Sequence, residues 1–469
     1  MSLGYRRELG PFSVAALVAG SMIGSGIFLV SADIARLGGT AGFILAAWGL
    51  ASLLTVLGAL SYGELAALFP EAGGPYVYLR EAYGPAFGFL FGWAAFVVID
   101  CGGIAAVAVG FGKYLGALWP AVDDARWILG PVHFVPLRLG SIVIGPYDLG
   151  LTPARLAGLA VITLLTLANT FGVRLGARIQ NVLTTIKVAA LLALVVLGLA
   201  LAPVTPASGA YLPPAGTVLL PWLPALLLAQ VGALFAADGW YYVTYVSAEV
   251  KDPRRTLPIA LLAGTVTVLL LYVLANVAYL KVLGPAGMAH AAEDRVGSLT
   301  LRAILGNSGE LLMALGVLVA MFGYLNGAIL APARLYQAMA ADGLFLGPAA
   351  ALNRNGVPAF ALAAQALWAG FLTFTGSFDQ LLDFVVFVTL LFYGLCVAGV
   401  IVLRFRRPDL PRSYRVPFFP VLPLAYLVGV AAILGTLLVY RPSYTWPGLA
   451  LTLAGVPLYV WLKRNAKSP

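Results

Sequence analysis

Charge is scarce in this chain. Only 10% of its 469 residues are Asp, Glu, Lys or Arg. A soluble globular protein carries about 25% charged residues, so these side chains cannot cover a water-facing surface, and a soluble domain is excluded. Cysteine is nearly absent. Cys101 and Cys396 both fall inside apolar runs, which reads as packing and leaves no disulfide framework. The two histidines, His133 and His290, lie between runs, no HExxH is present, and no paired aspartates occupy facing positions. Those gaps argue against an intramembrane enzyme, and no metal or other cofactor is expected. A phosphate-cradling loop of the Walker type is also missing, so the chain by itself is not a nucleotide-driven pump.

Apolar residues fill the space that charge leaves. They make up 61% of the chain, mean hydropathy is +0.95, and Gly (53) and Pro (30) are frequent, as suits membrane helices whose neighbours satisfy freed backbone groups. A helix needs about 20 apolar residues to cross the hydrocarbon core. Runs of that kind predict an all-α polytopic membrane protein of about twelve spans, at 11–37, 42–68, 85–118, 154–172, 178–202, 221–248, 258–284, 310–338, 358–376, 381–404, 418–439 and 446–463. The first run is too long for the apolar region of a cleaved signal. Net charge is +9, which raises nucleic-acid binding, but position answers it. Of 28 basic residues, 18 fall in one alternate set of loops, among them Arg6, Arg80, Arg254 and Arg404; nine fall in the other, and Lys187 lies inside a run. That bias predicts both termini in the cytoplasm, an even span count in the cell (inner or plasma) membrane, and no nucleic-acid partner. The basic stretch Arg404 to Arg415 is expected to meet lipid headgroups.

Three loops carry further expectations. Residues 70–85 place Tyr76, Tyr78, Leu79 and Tyr83 among charges and read as a short amphipathic interfacial helix. Alternation on both sides of Gly140-Ser141 predicts a small β-hairpin over 131–147. Residues 284–309, with Glu293, Asp294 and Arg295, read as a helical outer lid.

Two spans are interrupted. Gly20-Ser21-Met22-Ile23-Gly24-Ser25-Gly26 breaks the first, and Phe235-Ala236-Ala237-Asp238-Gly239-Trp240 breaks the sixth. Five spans separate them, so the two segments run in opposite directions. This placement predicts an inverted five-plus-five repeat with its site at the paired breaks. The first repeat covers about 11–202, the second about 221–404, and two further helices occupy about 418–463, all in one transporter domain.

If residues 21–26 unwind, their amides need partners in a region without bulk water, and a carboxylate suits them. Alternatively, Gly20 and Gly24 form a small-residue packing face. In the sixth span, carbonyls at the end of a half-helix suit an ammonium. Together the breaks describe a site for an α-amino acid. Asp238 adds charge for the amine, carries a proton, or caps the second half-helix; an acid at this depth is functional by default.

The motifs Gly24-Ser25-Gly26-Ile27-Phe28, Glu64-Leu65 with Gly73-Gly74-Pro75-Tyr76, Phe235 to Trp240, Glu249 to Arg254 and Leu257-Pro258 resemble the L-type amino acid transporter family of the amino acid–polyamine–organocation superfamily. The resemblance runs from span 1 to about span 10. It implies alternating access without sodium. Met22, Ile23, Gly24, Ser25 and Gly26 would hold the substrate's carboxylate and amine through main-chain groups, Phe235 would gate the ligand, and Ala236 and Asp238 would supply carbonyls to the amine. It also implies that Lys187 links span 5 to the first break, standing where sodium-coupled relatives hold an ion, with proton exchange there as a route to coupling. Lying roughly 13 Å into its span at about 1.5 Å per residue, the same lysine is alternatively one that snorkels to the interface. Residues 330–334 offer no hydroxyl for a sodium site. Members that work with a glycoprotein carry a cysteine after span 3; residues 119–153 have none, so no disulfide-linked glycoprotein subunit is expected. Nothing separates a monomer from a homodimer. Asp100 replaces what is often a basic residue, with a polar contact inside the bundle as its default reading. Glu64, Glu249 and Arg334 read as interfacial charges or as an inner gate of ion pairs. The expected function is secondary transport of neutral α-amino acids, by exchange or proton coupling. Cationic amino acids or polyamines on the same fold are the alternative, and a channel is the rival class.

Overall fold

A chain in a bilayer satisfies its main-chain polar groups internally, and a helix does so within one segment. The computed structural model describes residues 4–122, 124–135, 137–139, 142–144, 147–201, 222–375 and 378–465. Its first interrupted span is α1 (Pro11–Met22) and α2 (Gly26–Gly38), bent by 40° between them. Next come α3 (Ala41–Leu68), the short α4 (Pro75–Tyr83) and α5 (Pro85–Ala94); α5 passes through a π-helical turn at Ala95–Ile99 into α6 (Asp100–Leu118). Helices α7 (Pro153–Thr170) and α8 (Val173–Ala200) close the first half. The second half holds α9 (Trp222–Ala236), α10 (Pro253–Ala289), α11 (Val296–Leu305), α12 (Asn307–Leu330), α13 (Ala333–Ala341), α14 (Ala359–Thr375) and α15 (Phe378–Arg406). Then come α16 (Val421–Tyr440), α17 (Pro442–Leu453) and α18 (Gly455–Asn465).

Among the described residues, nine helical segments are long and apolar enough to cross a membrane, and the bent first pair makes ten. The protein is thus an all-α polytopic membrane protein. Burial sorts its helices: 83% of the most apolar window of Pro85–Gly116 is covered by protein, against 28% for Val421–Tyr440. The α5–α6 span is therefore central and α16 lies at the lipid-facing edge.

The two faces of the bundle differ. On the face that carries the N-terminal segment, the amides of Glu8 and Leu9 both donate to the Glu249 carbonyl at 2.9 Å, and the Lys251 amide donates to the Leu9 carbonyl at 2.9 Å. On the opposite face, β1 (Leu129–Phe134) pairs antiparallel with β4 (Tyr147–Leu151), and β2 (Leu137–Leu139) with β3 (Ile142–Ile144), giving the expected hairpin; Gly140 and Ser141 lie outside the described residues. The expected lid is there too. Helix α10 is interrupted at Gly284 (φ 66°), and α11 follows with Val296, Thr300 and Leu301 buried. Arg36 of α2 holds this lid through Asp294 at 2.6 Å and the Ala289 carbonyl at 3.1 Å.

Residues 75–83 are helical, as expected, and their apolar face is covered by protein. Tyr76, Val77, Tyr78 and Leu79 are buried, because α4 packs between α5 and α15. An amphipathic pattern does not say whether protein or headgroups cover the apolar face.

Candidate functional site

The main chain is the first functional element. Between α1 and α2, the amides of Gly24, Ser25, Gly26 and Ile27 have no hydrogen-bond acceptor among the described residues. The carbonyls behave oppositely. Lys187 Nζ donates to the Gly20 and Ile23 carbonyls at 2.6 and 2.8 Å, and the Tyr272 hydroxyl donates to the Met22 carbonyl at 2.9 Å. Open donors beside a buried ammonium make this break a place for negative charge. The hydroxyls of Ser21 and Ser25 are buried without a partner among the described residues.

Gly20 accounts for the small-residue alternative. A Cβ there would lie 2.1 Å from Thr184 Oγ1, whereas one on Gly24 would sit 3.4 Å from the Tyr324 ring. Gly20 thus serves close packing on α8, and Gly24 faces a different helix. The two glycines form no common face.

In the second break, α9 stops at Ala236 and the chain turns through Ala237, Asp238 and Gly239. Gly239 has φ 87°, and a Cβ on it would come within 2.4 Å of the Ser21 carbonyl; only glycine fits the turn against the first break. The Phe235 carbonyl accepts the Asp238 amide at 3.1 Å and the Ala236 carbonyl accepts the Tyr272 hydroxyl at 3.2 Å. A carbonyl oxygen has two lone pairs, so the Ala236 carbonyl can accept from a ligand amine as well as from Tyr272. The short helix after Asp238 has Gly239 as its N-cap, with no side-chain cap bond; the Asp238 carboxylate accepts the Tyr393 hydroxyl and the neighbouring Gly239 amide. Phe235, Asp238, Trp240, Thr389 and Tyr393 line a cavity of about 20 Å³, room for a single water.

The two breaks touch. A Cβ on Gly26 would lie 2.6 Å from both Cα and Cβ of Ala236. Tyr272 of α10 hydrogen-bonds to one carbonyl from each break, and sequence reasoning missed it. A tyrosine in an apolar span carries no mark of which neighbour its hydroxyl meets.

Lys187 is 2% exposed. Its ammonium does not snorkel to the interface, because two carbonyls of the interrupted helix solvate it inside the bundle. Gly323 of α12 makes room for its stem, since a Cβ there would sit 2.5 Å from Lys187 Cε.

Asp100 is wholly buried and meets the hydroxyls of Tyr245 at 3.2 Å and of Tyr241 and Tyr336 at 3.4 Å. That is the polar contact inside the bundle that its position suggested. Of the two readings of Glu64, Glu249 and Arg334, the structure favours ion pairs over ordinary interfacial charges. Arg334 pairs with Glu249 at 2.7 Å with both side chains buried, and Arg404 pairs with Glu64 at 2.6 Å, where Glu64 also accepts the Val416 amide. The Arg334–Glu249 pair is wholly internal, whereas in the other pair Glu64 is buried and Arg404 remains partly exposed. On the opposite side of the breaks, a cavity of about 670 Å³ opens among α2, α6, α9 and the lid, bordered by Asp33, Arg36, Lys113, Tyr114 and Asp294.

A multi-pass bundle whose two interrupted helices meet at a buried polar centre is a membrane permease, not an enzyme. The model of the amino acid permease family matches residues 9–459, and the chain belongs to that family. It is 32% identical over 460 residues to the large neutral amino acids transporter small subunit 2 of Oryctolagus cuniculus, covering 97% of this chain and 80% of that one. It is 27% identical over 470 residues to the serine/threonine exchanger SteT of Bacillus subtilis, covering 99% of each. It is 28% identical over 454 residues to the human cystine/glutamate transporter, covering 96% of this chain and 84% of the other.

Proposed function

We propose that this permease carries neutral α-amino acids by alternating access, independently of sodium, with the carboxylate on the amides of residues 24–27 and the amine on the carbonyls around Phe235 and Ala236. The observation that carries this reading is the polarity of the first break, whose amides are open while three of its carbonyls are covered. A zwitterion matches it, and the relatives named for large neutral amino acids and for serine and threonine support the class. Phe235 stands at the rim as the gate. Twelve spans, the inverted five-plus-five repeat and cytoplasmic termini in the cell membrane belong to the same reading. In it, the sealed N-terminal face is the inner one and the 670 Å³ cavity is an outward-facing vestibule.

The Lys187 amine on the Gly20 and Ile23 carbonyls supports sodium independence, because it occupies with a hydrogen-bond donor the carbonyls of the interrupted helix that a metal ion would otherwise need. Although a relative is named a small subunit, this chain acts without a disulfide-linked one. Both of its cysteines are buried, and residues 119–153 contain none.

Counterflow into proteoliposomes tests the reading. Labelled alanine, serine, leucine or phenylalanine is expected to enter vesicles preloaded with neutral amino acid at the same rate in sodium, potassium or choline buffer. No uptake of any of the four would refute it. Lys187→Ala is expected to slow this exchange by about tenfold or more, since leaving buried carbonyls without a donor costs about 1–3 kcal/mol. Substrate binding, read by thermal shift, should change much less. Undiminished flux would remove Lys187 from the mechanism.

A further inference from the structure

We propose that Asp100 is a proton-carrying site, and that a phenol-lined path joins it to the substrate breaks so that a proton moves with the amino acid. Three independent features support this. First, Asp100 has no compensating cation. Among the described residues, no Lys or Arg nitrogen lies within 4.0 Å of it or of Asp238, although Glu64 and Glu249 each have an arginine. A carboxylate near mid-membrane without a cation is costly and marks a functional pathway. Second, the main chain is distorted immediately before it. The π-helical turn at Ala95–Ile99 ends at this residue, and such turns in otherwise regular helices gather at functional sites.

Third, its neighbours form a connected set. The groups facing Asp100 are Asp238 of the second break, Tyr241 and Tyr245 from the segment after it, Tyr336 from α13, Tyr242 and Tyr324 slightly farther off, and Cys101 on its own helix. Helix α15 contributes Tyr393, whose ring centroid lies 5.0 Å from that of Tyr241 and whose hydroxyl binds Asp238. Asp238 at the break and Asp100 are thus each bonded to a phenol, and those two phenols, Tyr393 and Tyr241, meet ring against ring. Tyr245 and Tyr336 continue the set towards the N-terminal face, where the Tyr245 carbonyl accepts the Gly73 amide. Asp100 is wholly buried, with three phenols on its two oxygens, so the cation that suits it is a proton, which needs no cavity. In the step itself, a proton from the vestibule side converts the Asp100 carboxylate to the acid. The same proton leaves through the Tyr245 and Tyr336 hydroxyls once the N-terminal face opens.

This inference rests on the transport reading, and one preparation separates the two. The full chain is reconstituted in proteoliposomes, and labelled leucine, alanine, serine and phenylalanine are each followed, first as counterflow at equal pH. Uptake into empty vesicles is then measured with the outside one pH unit more acidic. With one proton per substrate and the membrane potential held at zero by potassium and valinomycin, the wild type should accumulate label about tenfold above equilibrium, since one pH unit is a tenfold proton ratio, and an entrapped pH dye should report acidification. Asp100→Asn should keep counterflow and lose both accumulation and acidification, and Asp100→Glu should recover part of each. Absent counterflow in the wild type would sink the transport reading. Counterflow with no response to the gradient, or a full response in Asp100→Asn, would overturn the proton site alone. Competition by lysine that disappears in Asp100→Asn would also overturn it, assigning the carboxylate to a cationic side chain. Should Asp100→Asn fail to fold, Tyr245→Phe carries the test. A hydroxyl that donates to the carboxylate competes with the proton, so its removal should move the pH of half-maximal uptake; an unmoved profile overturns the proposal.

Discussion

Gly26→Leu is expected to abolish amino-acid binding, and even Gly26→Ala is expected to weaken it severely, because its methyl meets backbone that cannot give way. The cause is mechanical. A Cβ at residue 26 would stand 2.6 Å from the Cα of Ala236, so the side chain wedges the two breaks apart, and the amides of residues 24–27 no longer face the carbonyls of 235 and 236 across one ligand. The control is two residues away. Gly24→Ala places its methyl 3.4 Å from the Tyr324 ring, an ordinary contact, and is expected to bind nearly as the wild type does. Thermal shift against the four neutral amino acids reads both, because a ligand that binds only the folded state raises its melting temperature. A Gly26→Leu protein that still gained stability from substrate would place the site elsewhere.

The second large effect is at the sealed face. Arg334→Met leaves the Glu249 carboxylate buried without its cation, a loss of about 3–5 kcal/mol for breaking one side of a buried pair. Such a protein should melt well below the wild type. The double variant Glu249→Leu, Arg334→Met removes both charges and should recover most of the stability, as replaced buried pairs commonly do. Its transport is expected to stay low. A well-packed apolar contact has no charged groups to rehydrate when the face opens, so the closed arrangement is favoured. Melting curves and counterflow on the three proteins form a double-mutant cycle. An Arg334→Met protein that melts like the wild type would show that the pair contributes nothing, and a fully active double variant would remove it from gating.

How much of this was legible beforehand follows from what each feature depends on. The breaks were legible because glycines and serines interrupting an apolar run are a local signal, and their five-span separation fixes direction. Lys187 was legible because a charge inside a span stands out, although whether it faced the bundle or the headgroups was left open. Tyr272 was not. The chain has 21 tyrosines, and only tertiary packing selects the one whose hydroxyl reaches Met22 and Ala236. The cage around Asp100 draws Tyr241, Tyr245 and Tyr336 from distant positions for the same reason. For Glu64, Glu249 and Arg334 the sequence left interfacial charges and ion pairs as alternatives, and only the fold shows that they pair. Pairing between residues 249 and 334, or 64 and 404, leaves no pattern in the intervening sequence.

The short strip formed by residues 8 and 9 against 249–251 carries one more consequence. Those residues are threaded onto the linker between the second break and α10, so the N-terminal face cannot part there without tearing three peptide hydrogen bonds. A bound protein that holds the segment ahead of Pro11 against residues 249–251 is therefore expected to slow opening of that face, and one that pulls it away to ease it.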